Sequence, residues 1–440
     1  MTKEIEVKKV NPLGYAVIDF DNKTYLVPNL LVGEKAILEL TKRGLQIVKR
    51  TTSSPDRVKP VCPIYDQCGG CQLQHLSYQN QLKLKHEQVV HFLAQEKLNY
   101  PVLPVIGSAN PLNYRNKIQM VYGIHKQKIV AGFYEENTHK IVNAHDCDIQ
   151  DKISNQIINT IKVLMKKHKL LPYDEDKDEG IIRHVMIKRS EATKEILVII
   201  VTPSSFFPGR NNLLKDLLKA HPEITSVVHN FNPRQTSVVL GDQEKTLFGK
   251  GYIEDILLNK RFVIGSKTFY QINSKQTEVL YNKVIEFLEP TKNDTILDAY
   301  AGIGTIGIIL SSYVKQVVAV EINKDSVLNA RKNASLNQVS NFRIEATDAK
   351  DYIQFLQDNQ INLDAIVVDP PRAGLELPFI ESIMAIKPKK VIYVSCNPET
   401  LARDLRQLSK LYNVDKIQPV DMFSQTYHVE TVVLLSRVEK

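Results

Sequence analysis

The chain has no apolar run long enough to cross a bilayer, no internal repeat and no low-complexity segment. Its opening residues, Met1-Thr2-Lys3-Glu4-Ile5-Glu6-Val7-Lys8, hold no apolar stretch of the kind that forms a secretory leader. These absences predict a soluble, cytoplasmic protein with no membrane partner. Cysteine is scarce, at five residues in 440, and in a reducing compartment clustered cysteines act as metal ligands or reactive thiols before they act as disulfides. Charge of one sign is only slightly in excess, 57 Lys and Arg against 49 Asp and Glu. The excess is uneven: Lys42, Arg43, Lys49, Arg50, Arg57 and Lys59 face only Asp56 in the same stretch. That patch is either a phosphate-binding surface or a solvated face.

With 43% hydrophobic residues, a chain of this length can bury two or three cores. Three units are expected. Residues 1–58 alternate short apolar runs with turns (15–20, 25–28, 36–40, 45–48), as a small OB-like β-barrel that binds RNA would. Thr51–Pro55 reads as a linker. Residues 59–264 read as an α+β domain with a mostly antiparallel sheet. It should open on a cysteine loop and a helix from an N-cap at Ser77 to about Lys97, with Leu82, Val89 and Leu93 on one face. A second helix is expected from Asn155 to about Leu170. Residues 265–440 alternate apolar strands (295–298, 316–321, 365–369, 390–394, with 429–435 as the last) and helices. The fold class is therefore α/β, with a doubly wound parallel sheet at the C-terminal end.

Asp298-Ala299-Tyr300-Ala301-Gly302-Ile303-Gly304-Thr305-Ile306-Gly307 follows the first of those strands and opens a helix. Its glycines permit a tight turn and close approach of a ligand. Glu321, ending the next strand, is placed for ribose hydroxyls. Such loops serve both dinucleotide enzymes and S-adenosylmethionine methyltransferases; Asp298 favours the latter, since a sulfonium cofactor has no pyrophosphate to repel it. Asp348 either contacts an adenine amine or caps a helix.

Two strand exits carry the chemistry. Asp369-Pro370-Pro371-Arg372 forms a rigid corner at the carboxyl end of a strand. Arg372 stands where an aromatic would stack on the base of an amine target, which points to a carbon target instead. Cys396, in Ser395-Cys396-Asn397-Pro398, leaves the following strand. C5 of uracil becomes nucleophilic when a thiolate adds to C6, and a base must then remove the C5 proton before sulfur leaves. Glu430 is the candidate base. The plainer alternatives are a buried apolar thiol for Cys396 and a surface ion pair for Glu430. Cys62, Cys68 and Cys71, in one loop with Gly69 and Gly70, and Cys147 farther on fit a 4Fe-4S cluster, zinc or free thiols. Three ligands in one loop favour iron–sulfur.

Taken together these motifs resemble the RNA uracil-5-methyltransferases over essentially the whole chain. Phe269-Tyr270-Gln271-Ile272-Asn273 is similar to the family's FFQVN run. The loop at Tyr300 resembles its DLYCGIGT run, with Ala301 where cysteine is usual. Phe423-Ser424-Gln425-Thr426-Tyr427-His428-Val429-Glu430-Thr431 resembles its FPQTxHVET run, with Ser424 replacing proline. The resemblance implies that Gln271, Tyr300, Thr305, Glu321, Asp348 and Asp369 bind S-adenosylmethionine, that Cys396 and Glu430 are catalytic, and that Cys62, Cys68, Cys71 and Cys147 hold the iron–sulfur cluster. It also implies a TRAM domain at the N-terminus and 23S ribosomal RNA as substrate for a monomeric enzyme. Arg115 and Lys117 are candidate phosphate contacts. Transfer RNA uracil, RNA cytosine C5, a non-catalytic RNA-binding assembly factor and, more distantly, a nicotinamide dehydrogenase are the rival readings.

Overall fold

The computed structural model describes residues 2–135, 138, 140–234, 236 and 238–438. The N-terminal unit has five strands: β1 (Thr2–Glu6), β2 (Ala16–Phe20), β3 (Lys23–Val27), β4 (Lys35–Thr41) and β5 (Gly44–Thr52). β4 lies between β1 and β5, and β2 pairs with β3, all antiparallel. Alternation on β2 turns Ala16, Ile18 and Phe20 inward, where they pack with Val27, Ala36 and Leu38. The four expected strands are present. β1 was not read in the sequence. β5 runs into the stretch expected as a linker, held there by a hydrogen bond from Thr51 Oγ1 to Glu4.

From 53 to 77 the chain forms neither helix nor strand. Buried Glu34 fastens the start of this segment: it accepts from Arg57 Nε at 2.5 Å and from the Ser54 amide. Helix α1 (Tyr78–Gln95) then starts at the expected cap, Ser77, whose side chain accepts from the Asn80 amide. Leu82 is only half-buried; the buried face holds the expected Val89 and Leu93 together with Gln81, Lys85 and Gln88. The reason lies opposite it: α1 docks on the C-terminal domain, where the facing groups are polar.

The central sheet has the order β12-β11-β10-β9-β6-β7-β8, antiparallel except at β10/β11. Its elements are β6 (Lys117–His125), β7 (Lys128–Tyr134), β8 (Ile141–Asn143), α2 (Lys152–Lys167), β9 (His184–Arg189), β10 (Ile196–Thr202), α3 (Arg210–Ala220), β11 (Ser226–Phe231) and β12 (Gln243–Phe248). Helix α2 begins three residues before the expected start, because Asp151 caps it by accepting from the Ser154 amide. A hairpin, β13 (Tyr252–Leu257) and β14 (Lys260–Gly265), leads into α4 (Ser274–Leu288).

The C-terminal sheet is ordered β17-β16-β15-β18-β19-β21-β20. It comprises β15 (Thr295–Ala299), α5 (Thr305–Leu310), β16 (Gln316–Glu321), α6 (Lys324–Leu336), β17 (Phe342–Ala346), α7 (Ala349–Asp358), β18 (Ala365–Val368), α8 (Leu377–Ile386), β19 (Lys390–Ser395), α9 (Pro398–Leu408), β20 (Tyr412–Val420) and β21 (Glu430–Arg437). Five strands are parallel; β21 runs antiparallel to both β19 and β20. The last strand in sequence therefore inserts within the sheet. β20 takes the edge and was not read, because Asn413, Asp415 and Lys416 interrupt its apolar pattern.

Lys85 and Asp421, both fully buried, meet at 2.5 Å where α1 docks. Asp421 also accepts from Tyr78 and Ser424 hydroxyls at 2.6 Å. Asp421→Ala should lower unfolding stability by about 3–5 kcal/mol, since it strands a buried ammonium. Lys85→Met, which leaves the carboxylate its two hydroxyl donors, should cost less. Urea denaturation of both variants measures the difference.

Candidate active site

The carboxyl ends of the parallel strands open on one cleft of about 500 Å³. The glycine loop forms one wall. Tyr300 (φ +64°) and Gly304 (φ +78°) hold left-handed backbone, a strain that non-glycine residues accept chiefly at functional sites. A Cβ at Gly307 would come 2.7 Å from Asp298 Oδ2, so this close pass needs glycine. Asp298 Oδ2 accepts from the Gly307 amide at 2.8 Å and closes the turn from beneath. Glu321 accepts from the Gly302 and Asn323 amides, which fixes its carboxylate at the cleft edge.

Of the residues singled out in the sequence, Gln271, Tyr300, Thr305, Glu321, Asp369, Cys396 and Glu430 all line this cleft. Asp348 does not; it caps α7 and accepts from the Lys350 amide. The second reading of that residue is the observed one. Gln271 is held by its own carbonyl, which accepts from Asn116 Nδ2 at 3.0 Å, and Thr305 shares a hydrogen bond with Tyr281. Cys396 sits just before the cap of α9. The Arg372 carbonyl accepts from Asn397 Nδ2 and Thr400 Oγ1 on either side of that start, so the two strand exits are locked together. Tyr281 and His428 also line the cleft and were given no role in the sequence reading. His428 could have been found there, since alternation puts residue 428 on the same side as 430.

The electrostatics are those of a water-poor acidic cleft. Burial, and then the charge of Asp369, push Glu430 up to about 8 against the opposing pull of Arg372. Burial alone pushes Asp369 up to about 7. Asp298 rises to about 7, from burial and then the Asp369 and Glu321 charges, opposed by the Gly307 amide. Cys396 rises to about 11 through burial and the charges of Glu430 and Asp369, with Arg372 opposing. An acidic, desolvated site of this kind gains most from a ligand that carries positive charge.

A second constellation lies apart from the cleft. Cys62, Cys68, Cys71 and Cys147 line one cavity of about 70 Å³, together with Arg115. Backbone amides donate to three of the sulfurs, from Ile64 to Cys62, Gly70 to Cys68, and Ile149 and Gln150 to Cys147. Among the described residues no group of three or more His, Cys, Asp or Glu side chains has the geometry of a metal-ion site.

A glycine loop after the first strand of such a sheet, an acidic residue ending the second and a thiol facing both define a methyltransferase that uses S-adenosylmethionine. Residues 237–438 match the profile of the tRNA (uracil-5-)-methyltransferase family. Uncharacterized RNA methyltransferases of Bacillus cereus (40% identical, 97% of this chain and 95% of that protein) and Listeria monocytogenes (39%, 98% and 97%) align over nearly the full length. The crystal structure of Pyrococcus abyssi tRNA (uracil-54, C5)-methyltransferase with S-adenosyl-L-homocysteine superposes with a TM-score of 0.80 at 30% identity, over 98% of this chain and 100% of that one. This chain belongs to the tRNA (uracil-5-)-methyltransferase family and is an RNA methyltransferase.

The raised Glu430 carries a sign. Its carboxyl is neutral in the folded protein up to about pH 8 but ionises near 4.3 when unfolded. Unfolding thus releases a proton between those limits, and stability falls as pH rises. Glu430→Gln should match the parent stability at pH 4 and gain on it from pH 5 to 8, by at most ~1.4 kcal/mol per pH unit. Denaturant midpoints across that range check it.

Proposed function

We propose that the protein transfers a methyl group from S-adenosylmethionine to C5 of a uridine in RNA, through a transient bond between Cys396 and C6 of the base. The observation that carries this reading is the convergence of Cys396, Glu430 and Asp369 with the glycine loop on one cleft. The methyl donor brings a transferable methyl on a sulfonium, and the acidic cleft suits its charge. Gln271, Tyr300, Thr305, Glu321 and Asp369 are the residues that would hold it. Asp348, which caps α7, is the remaining residue that the resemblance assigns to the cofactor.

In the reaction, deprotonated Cys396 adds to C6 and C5 takes the methyl group. Glu430 removes the C5 proton, and the sulfur leaves as the 5,6 double bond re-forms. A buried carboxylate with a raised pKa is a stronger base once ionised, which is what proton removal from carbon requires. The target uridine would leave its stack to reach so enclosed a thiol.

The rest of the chain fits RNA recognition. A groove of about 590 Å³ runs between β5 and the cysteine loop, lined among others by Tyr15, Gln46, Lys49 and Gln72. It combines an aromatic platform with cationic and amide groups, as single-stranded RNA sites do. This supports an RNA-binding, TRAM-like role for residues 1–58. It likewise supports a division into that unit, a central domain at 59–264 and a methyltransferase domain from 265. No helix among the described residues is long and apolar enough to cross a membrane.

For the four cysteines we favour a 4Fe-4S cluster. Burial raises Cys71 to about 12 and Cys147 to about 11, so the sulfurs would ionise only against several positive charges held close by. Amide donors to thiolate sulfur fit the same set. Three cysteines in one loop with a fourth farther on favour iron–sulfur over zinc.

We assign the substrate to 23S ribosomal RNA on the family resemblance carried by the cysteine set; the N-terminal unit does not discriminate, since the Pyrococcus tRNA enzyme aligns with 98% of this chain. Transfer RNA is the second reading, because the Pyrococcus protein is named for uracil 54 of tRNA. Mass mapping of both RNAs from cells with and without the gene decides between them.

Two outcomes are expected. Cys396→Ala should abolish methylation and any covalent adduct with 5-fluorouridine RNA. Glu430→Gln should instead accumulate a methylated protein–RNA adduct on ordinary uridine RNA, seen as a band stable in denaturing gels; rapid turnover by that variant would remove Glu430 as the base. Separately, Cys147→Ala should lose iron and visible absorbance while keeping S-adenosylmethionine affinity by calorimetry; zinc in the purified parent protein would overturn the cluster assignment.

A further inference from the structure

Arg372 and His428 face each other in the cleft, with Arg372 NH2 at 3.3 Å from His428 Nε2. A guanidinium has only donors, so Nε2 must accept. Burial, and then the charges of Arg372, Lys85 and Arg115, push the imidazole down to about 4, which keeps it neutral at physiological pH. A neutral ring that accepts at Nε2 carries its proton on Nδ1. Nδ1 takes no protein partner among the described residues, and the residue lines the cleft beside Cys396 and Glu430. The ring is fixed by Phe423 (centroids 6.0 Å apart) and Tyr427 (4.4 Å), and the His428 amide donates to Thr426 Oγ1.

We propose that His428, locked as the Nδ1–H tautomer by Arg372, donates to O4 of the target uracil and so both selects uracil over cytosine and stabilises the enolate formed in the reaction. This deepens the covalent mechanism proposed above and rests on it. When the sulfur of Cys396 bonds to C6, the electron pair of the 5,6 double bond moves into the C5–C4–O4 system and O4 becomes the negative end. A donor already aimed there gains strength in a water-poor site, as in an oxyanion hole. The pair returns through C5 to the methyl carbon as the C–S bond of the sulfonium breaks, so no further reactant is needed. Cytosine offers an amine at the same position, which sets donor against donor; leaving such groups unpaired discriminates strongly. Arg372 acts through His428 as a positioning residue: it can only donate, so its contact with Nε2 favours the Nδ1–H tautomer.

The test uses the full-length protein and RNA carrying uridine or 4-thiouridine at the target, since sulfur is a poor acceptor. His428→Ala should lower kcat on uridine RNA about a hundredfold with S-adenosylmethionine affinity unchanged. It should also close most of the gap between the two substrates that the parent enzyme shows. His428→Asn, whose amide nitrogen can occupy the Nδ1 position, should recover to within about tenfold of the parent. His428→Gln, whose amide reaches the Nε2 position, should not. A parent enzyme that methylates both RNAs at one rate overturns the assignment. So does His428→Ala that keeps the parent rate or the parent gap, or His428→Gln that equals His428→Asn. Should His428→Ala lose cofactor binding, the Asn and Gln pair decides in its place. Absence of any adduct between the unaltered protein and 5-fluorouridine RNA would remove the covalent step itself. An adduct without a His428 effect would remove only this role.

Discussion

The geometry of the cleft depends on a buried polar junction. Asp421 collects the Lys85 ammonium and the hydroxyls of Tyr78 and Ser424. The Lys85 ammonium also donates to the Phe423 carbonyl. Four residues on, Gln425 holds a left-handed backbone (φ +72°). Gln81 binds its amide and its side chain, and the amides of Gln72 and Leu73 donate to its carbonyl. A strained residue persists only where its surroundings over-determine it, and here α1 and the cysteine loop do so together. The segment so clamped leads directly to His428 and Glu430. A buried pair of charges adds little net stability compared with apolar packing, but it penalises every arrangement in which the partners do not meet. At this junction that means one position of the 421–430 segment relative to the thiol on the neighbouring strand.

The same logic governs the cleft itself. Asp298 and Glu430 are buried and Asp369 is half-buried, and each is held well above the usual carboxylate range. Apolar replacements would fold more stably. On the proposed mechanism the acids, once ionised, would supply a field that favours a cationic ligand and a base strong enough to take a proton from carbon. Arg372 is the counterweight, lowering both Cys396 and Glu430 while leaning on His428. The site therefore sits between two failures: without Arg372 the thiol would be harder to ionise, and with more cations the base would weaken.

Much of this was legible in the sequence because it lies on parallel strands. Buried on both faces, β15, β16, β18 and β19 read as unbroken apolar runs, and ligands gather where such strands end. That placed Glu321, Asp369 and Cys396 correctly at one edge. The polar face of α1 was not legible, since periodicity assigns Gln81 and Lys85 to solvent until their partners 336 to 344 residues away are known. Edge strand β20 and the interior position of β21 escaped for a related reason: order within a sheet is a long-range property. Asp348 offered two roles of equal local merit; the cap of α7 is observed, and the residue is not among those lining the cleft.

The cysteine segment suggests what the proposed cluster would do for the fold. Between β5 and α1 the chain runs from 53 to 77 without regular structure, and its own apolar packing is slight, with Leu73 and Leu76 meeting Leu31. Structureless segments of this length in compact proteins are either mobile or externally held. This one must be rigid, because its Gln72 and Leu73 amides help to fix Gln425 and its outer side walls the groove beside β5. Hydrogen bonds of Tyr65 to His75 and to the Gln72 carbonyl hold only its middle. A proposed cross-link from Cys62, Cys68 and Cys71 to Cys147 would join the segment to the central domain at little cost in native strain, while removing much of the freedom it has unfolded. A cluster so placed would act on the proposed catalysis mechanically, through the Gln72 and Leu73 amides that bind the left-handed Gln425 five residues before Glu430.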